Sequence, residues 1–171
     1  LQVTRCPLPD GALLMRYADI EGGFTDCYTA GVRARVDLAG FVTAFYSTRL
    51  FKAERLVLKL AFRCPSTDAD VRAMAAGDHD RFAIWTVEAR AQDQILLCPK
   101  GGSTRSWLMA RPEREGWTRL YFGSAVVPTQ VNDTVRVPRG SLSRPALWAH
   151  DTYSRLLLRA ACRRLNARAR D

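Results

Sequence analysis

Two periods of apolar recurrence divide the chain. Between residues 37 and 76 the period is helical. Leu38, Phe41, Val42 and Phe45 recur at i, i+3, i+4 and i+7 behind Asp37, a residue type suited to an N-cap. A break at Ser47-Thr48 leads to a second helical stretch, about 50–62, rich in Leu and Phe. Thr67, with Asp70 three residues on, makes a capping box for a short third helix through Ala76, stopped by Gly77. Beyond it the period falls to two. FAIWTVEAR (82–90), DQILLC (93–98), TRSWLMAR (104–111) and TRLYFGSAVV (118–127) read as strands, and their hairpin-sized connections AQ, PKGGS and PEREGW predict an antiparallel meander. One strand, about 25–33, precedes the helices.

The closing element is a helix from about 143 to 165 that tolerates Pro145 in its first turn. Drawn at 100° per residue, it places Ala146, His150, Tyr153, Leu157 and Ala161 on one side and Trp148, Thr152, Arg155, Arg159 and Arg163 on the other. The first side is predicted to dock. Residues 1–23, with Pro7, Pro9 and Gly22-Gly23, read as an irregular arm, and 128–141 as a linker. The order of strand, helices, antiparallel strands and long helix predicts an α+β fold in one domain over 1–171, a curved antiparallel sheet gripping the C-terminal helix.

This layout resembles the START-like or Bet v 1-like helix-grip superfamily. The likeness is carried by DLAGFVTAFYSTRLFKAERLVLKLAF between the first two strands, by DQILLCPKGGSTRSWLMA and TRLYFGSAVV, and by HDTYSRLLLRA on the last helix. Asp93 opening one hairpin strand and Arg105 in the next are similar to an uncharacterised bacterial branch. The resemblance implies an apolar pocket between sheet and helix. Fewer strands are visible than a full grip uses, so a further one is sought in 1–20 or 128–138.

Composition adds limits. The chain has 171 residues, 47% of them hydrophobic and 25% charged, which is enough to bury a core. No apolar run is long enough to span a bilayer and no secretory signal is visible, so a cytoplasmic protein is expected. The formal charge of +9 is nearly all arginine, and Arg155, Arg159, Arg163, Arg164, Arg168 and Arg170 concentrate it in the last helix and tail. A solvated face is the default for such a row, with weak contact to an anionic membrane through Arg155, Arg159 and Arg163 as the alternative. The basic residues are not interleaved with aromatic platforms, which argues against nucleic acid. Cys6, Cys27, Cys64, Cys98 and Cys162 are odd in number and contain no C-x-x-C, so they read as reduced, small apolar residues.

Phosphate-loop, dinucleotide, zincin and nucleophile-elbow motifs are absent, and two histidines do not make a His-rich metal site. Neither metal nor cofactor is implied. His150 is a candidate ligand contact and the weak candidate for a general base. His79, between Asp78 and Asp80, fits a polar loop. Arg105, among apolar neighbours, either snorkels, pairs with a carboxylate such as Glu88, or anchors an anionic ligand. Trp85, Trp107, Tyr121 and Phe122 on the strands, with Tyr153 on the helix, either line a pocket or fill the core. The expected function is binding of a small apolar or amphipathic molecule by Trp85, Glu88, Arg105, Trp107, Tyr121, His150 and Tyr153. The alternatives are a cyclase- or dehydratase-like enzyme on such a ligand, and a scaffold or membrane-peripheral protein using the arginine face.

Overall fold

The computed structural model describes residues 1–52, 66–99, 102–131, 134–136 and 144–169. Seven strands form one sheet: β1 (Thr4–Arg5), β2 (Phe24–Val32), β3 (Arg81–Phe82), β4 (Trp85–Arg90), β5 (Gln94–Pro99), β6 (Thr104–Arg114) and β7 (Trp117–Val126). Their order is β1-β2-β7-β6-β5-β4-β3 and every pairing is antiparallel. The sheet is curved and unclosed. Bulges between Val87 and Ala89 and between Pro112 and Arg114 interrupt its register, and a bulge bends a strand and increases its twist.

The helices are α1 (Leu38–Tyr46), α2 (Asp68–Ala76) and α3 (Arg144–Arg168). Asp37 caps α1 by accepting from Gly40 N at 2.8 Å, and Thr67 and Asp70 form the capping box of α2 in both directions. Gly77 ends α2 with φ +93°, a left-handed value that glycine adopts without a Cβ penalty. A helical turn at 49–52 begins the second predicted helix, whose remainder lies outside the described residues. Among the described residues no helix is long and apolar enough to cross a membrane.

Side-chain alternation gives the sheet two buried faces. Tyr28, Ala30, Val32, Ile95, Leu97, Leu108, Ala110, Leu120 and Phe122 point to the inner face, where α1, α2 and α3 cover them. Rings take up part of the space: the Phe45 and Phe122 centroids lie 4.7 Å apart, and Tyr46 lies 4.7 Å from Phe51 and 5.8 Å from Phe82. α3 docks through Leu157, Leu158, Ala161, Cys162 and Leu165, with Arg159 and Arg163 exposed. Cys27, Leu96, Trp107, Met109 and Ala125 point the other way and are covered by the N-terminal arm.

β1 is the further strand sought in 1–20, but the packed cover departs from the irregular arm expected for residues 1–23. The arm contributes β1 and a 3₁₀ turn, Leu13–Tyr17, whose Leu14 is fully buried on the outer face. Gln94 fixes it. The buried amide accepts from Leu13 N at 2.8 Å and from Trp107 Nε1 at 2.9 Å, and it donates to Gly11 O at 3.0 Å. Gly123 permits the approach, since a Cβ there would stand 2.8 Å from both Asp26 O and Leu14 Cδ2.

Three further segments differ from their periodic reading. FAIW is not one strand, because Ala83 takes φ +52° and turns the chain between β3 and β4. β6 continues past Arg111 to Arg114, leaving Glu115-Gly116 as a two-residue hairpin with Gly116 at φ +69°. The region read as a linker contains a separate hairpin, β8 (Thr129–Val131) with β9 (Thr134–Arg136).

Candidate functional site

The sheet divides the seven predicted site residues between its faces. Glu88, Arg105, Trp107 and Tyr121 lie on the outer face, whereas Trp85, His150 and Tyr153 lie with the inner core or its rim. One pocket does not collect them. The reason is parity: Arg105, Trp107 and Met109 share a face, and α3 covers the face of Ser106, Leu108 and Ala110.

On the inner face a buried carboxylate, Asp26, gathers a polar network. Asp26 is 4% exposed and has the parity of Tyr28, Ala30 and Val32 on β2. Its Oδ1 accepts from Ser124 N at 3.1 Å and Ser124 Oγ at 2.7 Å across the β2–β7 ladder. Its Oδ2 accepts from Tyr28 OH at 3.1 Å and lies 3.1 Å from His150 Nε2, carried by the first half of α3. Burial alone would raise the Asp26 carboxyl, but the bonds to His150 and Ser124, with Tyr28 behind them, outweigh it and hold the group below the ordinary range.

The network continues outward. Tyr28 OH also lies 2.9 Å from Asp151 Oδ1, and Arg155 Nε donates to Asp151 Oδ2 at 2.8 Å while its guanidinium sits over the Tyr28 ring. Burial and the two flanking carboxylates push the Tyr28 phenol up. The pairing with Arg155 holds Asp151 down. The Phe24 ring stands edge-on to His150.

Aspartate, serine and histidine within bonding distance have the composition of a nucleophilic triad, but the connectivity is different. In a triad the imidazole stands between the other two and uses both nitrogens. Here Ser124 Oγ and Asp26 Oδ2 both meet the same nitrogen, Nε2, at 2.8 and 3.1 Å, and the hydroxyl also donates straight to the carboxylate. Ser124 is therefore not activated by His150. The arrangement is a carboxylate clamp that orients the imidazole, whose side chain stays 37% exposed.

The outer face carries the pairing foreseen for Arg105. Its Nε donates to Glu88 Oε2 and to Tyr17 OH, and the Tyr17 hydroxyl donates to Glu88 Oε1. Arg105 Nη1 donates to Gly102 O at 3.1 Å and Thr104 O at 3.0 Å, and Arg16 approaches Glu88 at 3.5 Å. With Glu88 and two carbonyls as acceptors the guanidinium is occupied, and through Tyr17 it helps to fix the arm. Trp107 is fully buried beside Tyr121, with centroids 6.3 Å apart, and gives its indole hydrogen to Gln94. Asp93 pairs with Arg111 at 3.0 Å rather than with Arg105.

Trp85 stands apart from all of these. Its ring packs on the inner core at β4, and among the described residues its Nε1 is a buried donor without a hydrogen-bond partner. Arg164 Nε shares that condition, although its Nη1 donates to Ser47 O at 3.1 Å. Three strands, β7, β6 and β5, lie between β4 and β2 in the sheet order, so Trp85 stands four strand spacings, roughly 19 Å along the ladder, from the strand whose Asp26 meets His150. His79 is exposed in the turn between α2 and β3. Among the described residues no three His, Cys, Asp or Glu side chains are grouped to hold a metal.

Periodicity singled out His150 but missed Asp26 and Ser124. The available signal was their parity, since each is a polar residue at an inward position of an otherwise apolar strand. No family profile, curated protein or solved structure matches the chain.

Proposed function

We propose that the chain is a helix-grip protein that binds a small apolar or amphipathic molecule at the inner face, with Trp85 as the polar anchor. The reading rests on the unpartnered Trp85 Nε1. A buried donor without an acceptor costs about 1–3 kcal/mol, and a carbonyl, ether or hydroxyl oxygen on a bound molecule would relieve it. The ring around that nitrogen belongs to the apolar cluster of Phe82, Ala83 and Val87, so the molecule would be mostly apolar with one acceptor. A curved antiparallel sheet packed on a long C-terminal helix agrees with the START-like resemblance, which supplies the expectation of a pocket on this side.

Native mass spectrometry of the purified chain, beside Trp85→Phe, tests the reading. The parent is expected to retain a small molecule and the variant at least several-fold less. The variant should match or slightly exceed the parent in stability, because removing both donor and need is close to neutral. An empty parent, or equal occupancy in the two proteins, overturns it.

A second reading, an enzyme of cyclase or dehydratase type acting on such a molecule, is favoured by the Asp26–His150 contact alone. With Nε2 donating to Asp26, the free lone pair lies on Nδ1, where an oriented imidazole would serve as a general base. On that reading the molecule lies at the His150 end of the inner face rather than at Trp85, and His150→Gln abolishes its conversion whereas Trp85→Phe leaves conversion unchanged.

A further inference from the structure

Two of the scattered cysteines meet. Cys6 directly follows β1, and its N–H donates to Cys27 O at 3.0 Å, extending by one pair the ladder of Thr4 with Thr29 and Arg5 with Tyr28. The side chains therefore face each other, and their Sγ atoms stand 3.5 Å apart as free thiols. Opposed residues of an antiparallel pair have Cα atoms about 4.5–5.5 Å apart, within the span of a disulfide of roughly 4.4–6.8 Å. The two positions are 21 residues apart in sequence, one on the arm and one on a central strand.

The sulfurs are not sealed in. A surface pocket of about 270 Å³, lined by Arg5, Pro7, Leu8, Met15 and Ala18, reaches Cys6 and Cys27. Cys27 is 1% exposed and Cys6 is half-buried, so a reagent entering from solvent meets Cys6 first. The neighbouring Cys27 thiol holds the Cys6 thiol below the ordinary range; burial opposes this and Arg119 assists it. Cys162, by contrast, is buried in the α3 interface and its thiol is pushed up to about 12 by that burial.

We propose that Cys6 and Cys27 are a reversible disulfide-forming pair, oxidised by small-molecule disulfides through Cys6. The Cys6 thiolate attacks one sulfur of the external disulfide, forming a mixed disulfide and releasing one thiolate, which takes up a proton. Cys27, deprotonated, attacks the Cys6 sulfur, so the Cys6–Cys27 bond forms and the second external thiol leaves with a proton. The protein pair loses two electrons and the external disulfide gains them. The link ties β1 and the arm to β2, fastening the cover of the outer face, whereas the reduced arm is held there by hydrogen bonds and packing.

The test equilibrates the full chain with oxidised and reduced glutathione at graded ratios, then blocks free thiols and maps peptides by mass. The expected result is a Cys6–Cys27 link that forms while Cys98 and Cys162 stay free, and that dithiothreitol reverses. Cys27→Ser should stop at a glutathione adduct on Cys6, and Cys6→Ser should leave Cys27 unmodified. Oxidation should raise the unfolding midpoint, since a crosslink constrains the unfolded chain. Adducts on other cysteines with no Cys6–Cys27 link at any ratio overturn the pairing. Modification of Cys27 in Cys6→Ser overturns the order of attack, and an unchanged midpoint overturns the fastening.

Discussion

Asp26 decides what His150 does. From the helical wheel alone His150 faces inward beside Tyr153, and a pocket contact is the natural expectation. With a 4% exposed carboxylate under its Nε2, the imidazole is also part of the support of a buried charge. His150→Phe removes one donor from Asp26 and leaves Ser124 and Tyr28 in place, so we expect a loss of about 1–3 kcal/mol in denaturant unfolding. A loss below about 0.5 kcal/mol would show that water or another group replaces the imidazole. The same carboxylate sets an acid limb. Its folded pKa lies below the unfolded value, roughly 3.9 for aspartate, so at pH near 4 the unfolded chain binds more protons. The stability Asp26 contributes is therefore present above about pH 4 and lost as pH falls through its lower folded value. Asp26→Asn should be less stable than the parent at neutral pH and show a shallower fall between about pH 4 and 2. Parallel curves would exclude Asp26 as a source of the acid limb.

At the scale of elements, what the periodic pattern conveyed and what it did not have separate physical causes. α1 and α2 were legible because cap chemistry is local: Asp37, Thr67 with Asp70, and Gly77 act within one turn. β5 and β7 were legible because each is a short run rich in apolar and aromatic residues bounded by turn residues, which marks a strand even where both faces are buried. The arm was not, since a five-residue 3₁₀ turn has no periodic signal and its place depends on Gln94, some 80 positions away. The split of β3 from β4 depends on one left-handed residue, Ala83, of a type that gives no warning of it. Among the candidate site residues, the Glu88–Arg105 pairing was legible from charge in an apolar strand. The division of the aromatics between faces was not, because parity gives two sets without telling which set the helix covers. α3 offers a direct check of that assignment. Leu158 is fully buried and Arg159, its neighbour, is exposed. Leu158→Asp places a charge in the core and should prevent cooperative folding, whereas Arg159→Asp should stay within about 0.5–1 kcal/mol of the parent. Comparable damage from both, read by thermal unfolding, would mean that the helix is rotated from this docking.

At the scale of the whole molecule, the formal charge of +9 has to be divided between arginines committed to the fold and arginines left to solvent. Arg105, Arg111 and Arg119 are paired with Glu88, Asp93 and Glu113. Arg155, first of the row on α3, is paired with Asp151, lies over Tyr28 and reaches Val3 O at 3.3 Å, so it ties the helix to β2 and the arm. Only Arg159 and Arg163 of that row are exposed. On the helical wheel they share a side with Trp148, 72% exposed, and Leu156, 49% exposed. Two cations with Leu156 one turn before Arg159, and Trp148 about three turns before it, are too few for stable membrane anchorage; we propose at most a weak contact in which charge brings the helix to an anionic surface. We therefore expect low retention on vesicles containing anionic phospholipid, absent on neutral vesicles and lost between low and moderate salt as screening takes effect. Arg159→Gln with Arg163→Gln should remove that retention at unchanged stability. Arg155→Gln should instead lower the unfolding free energy by about 1 kcal/mol or less, as an exposed ion pair does, and leave retention mostly in place. If the double variant is retained like its parent, the row is a solvated face and the surplus charge acts on solubility alone.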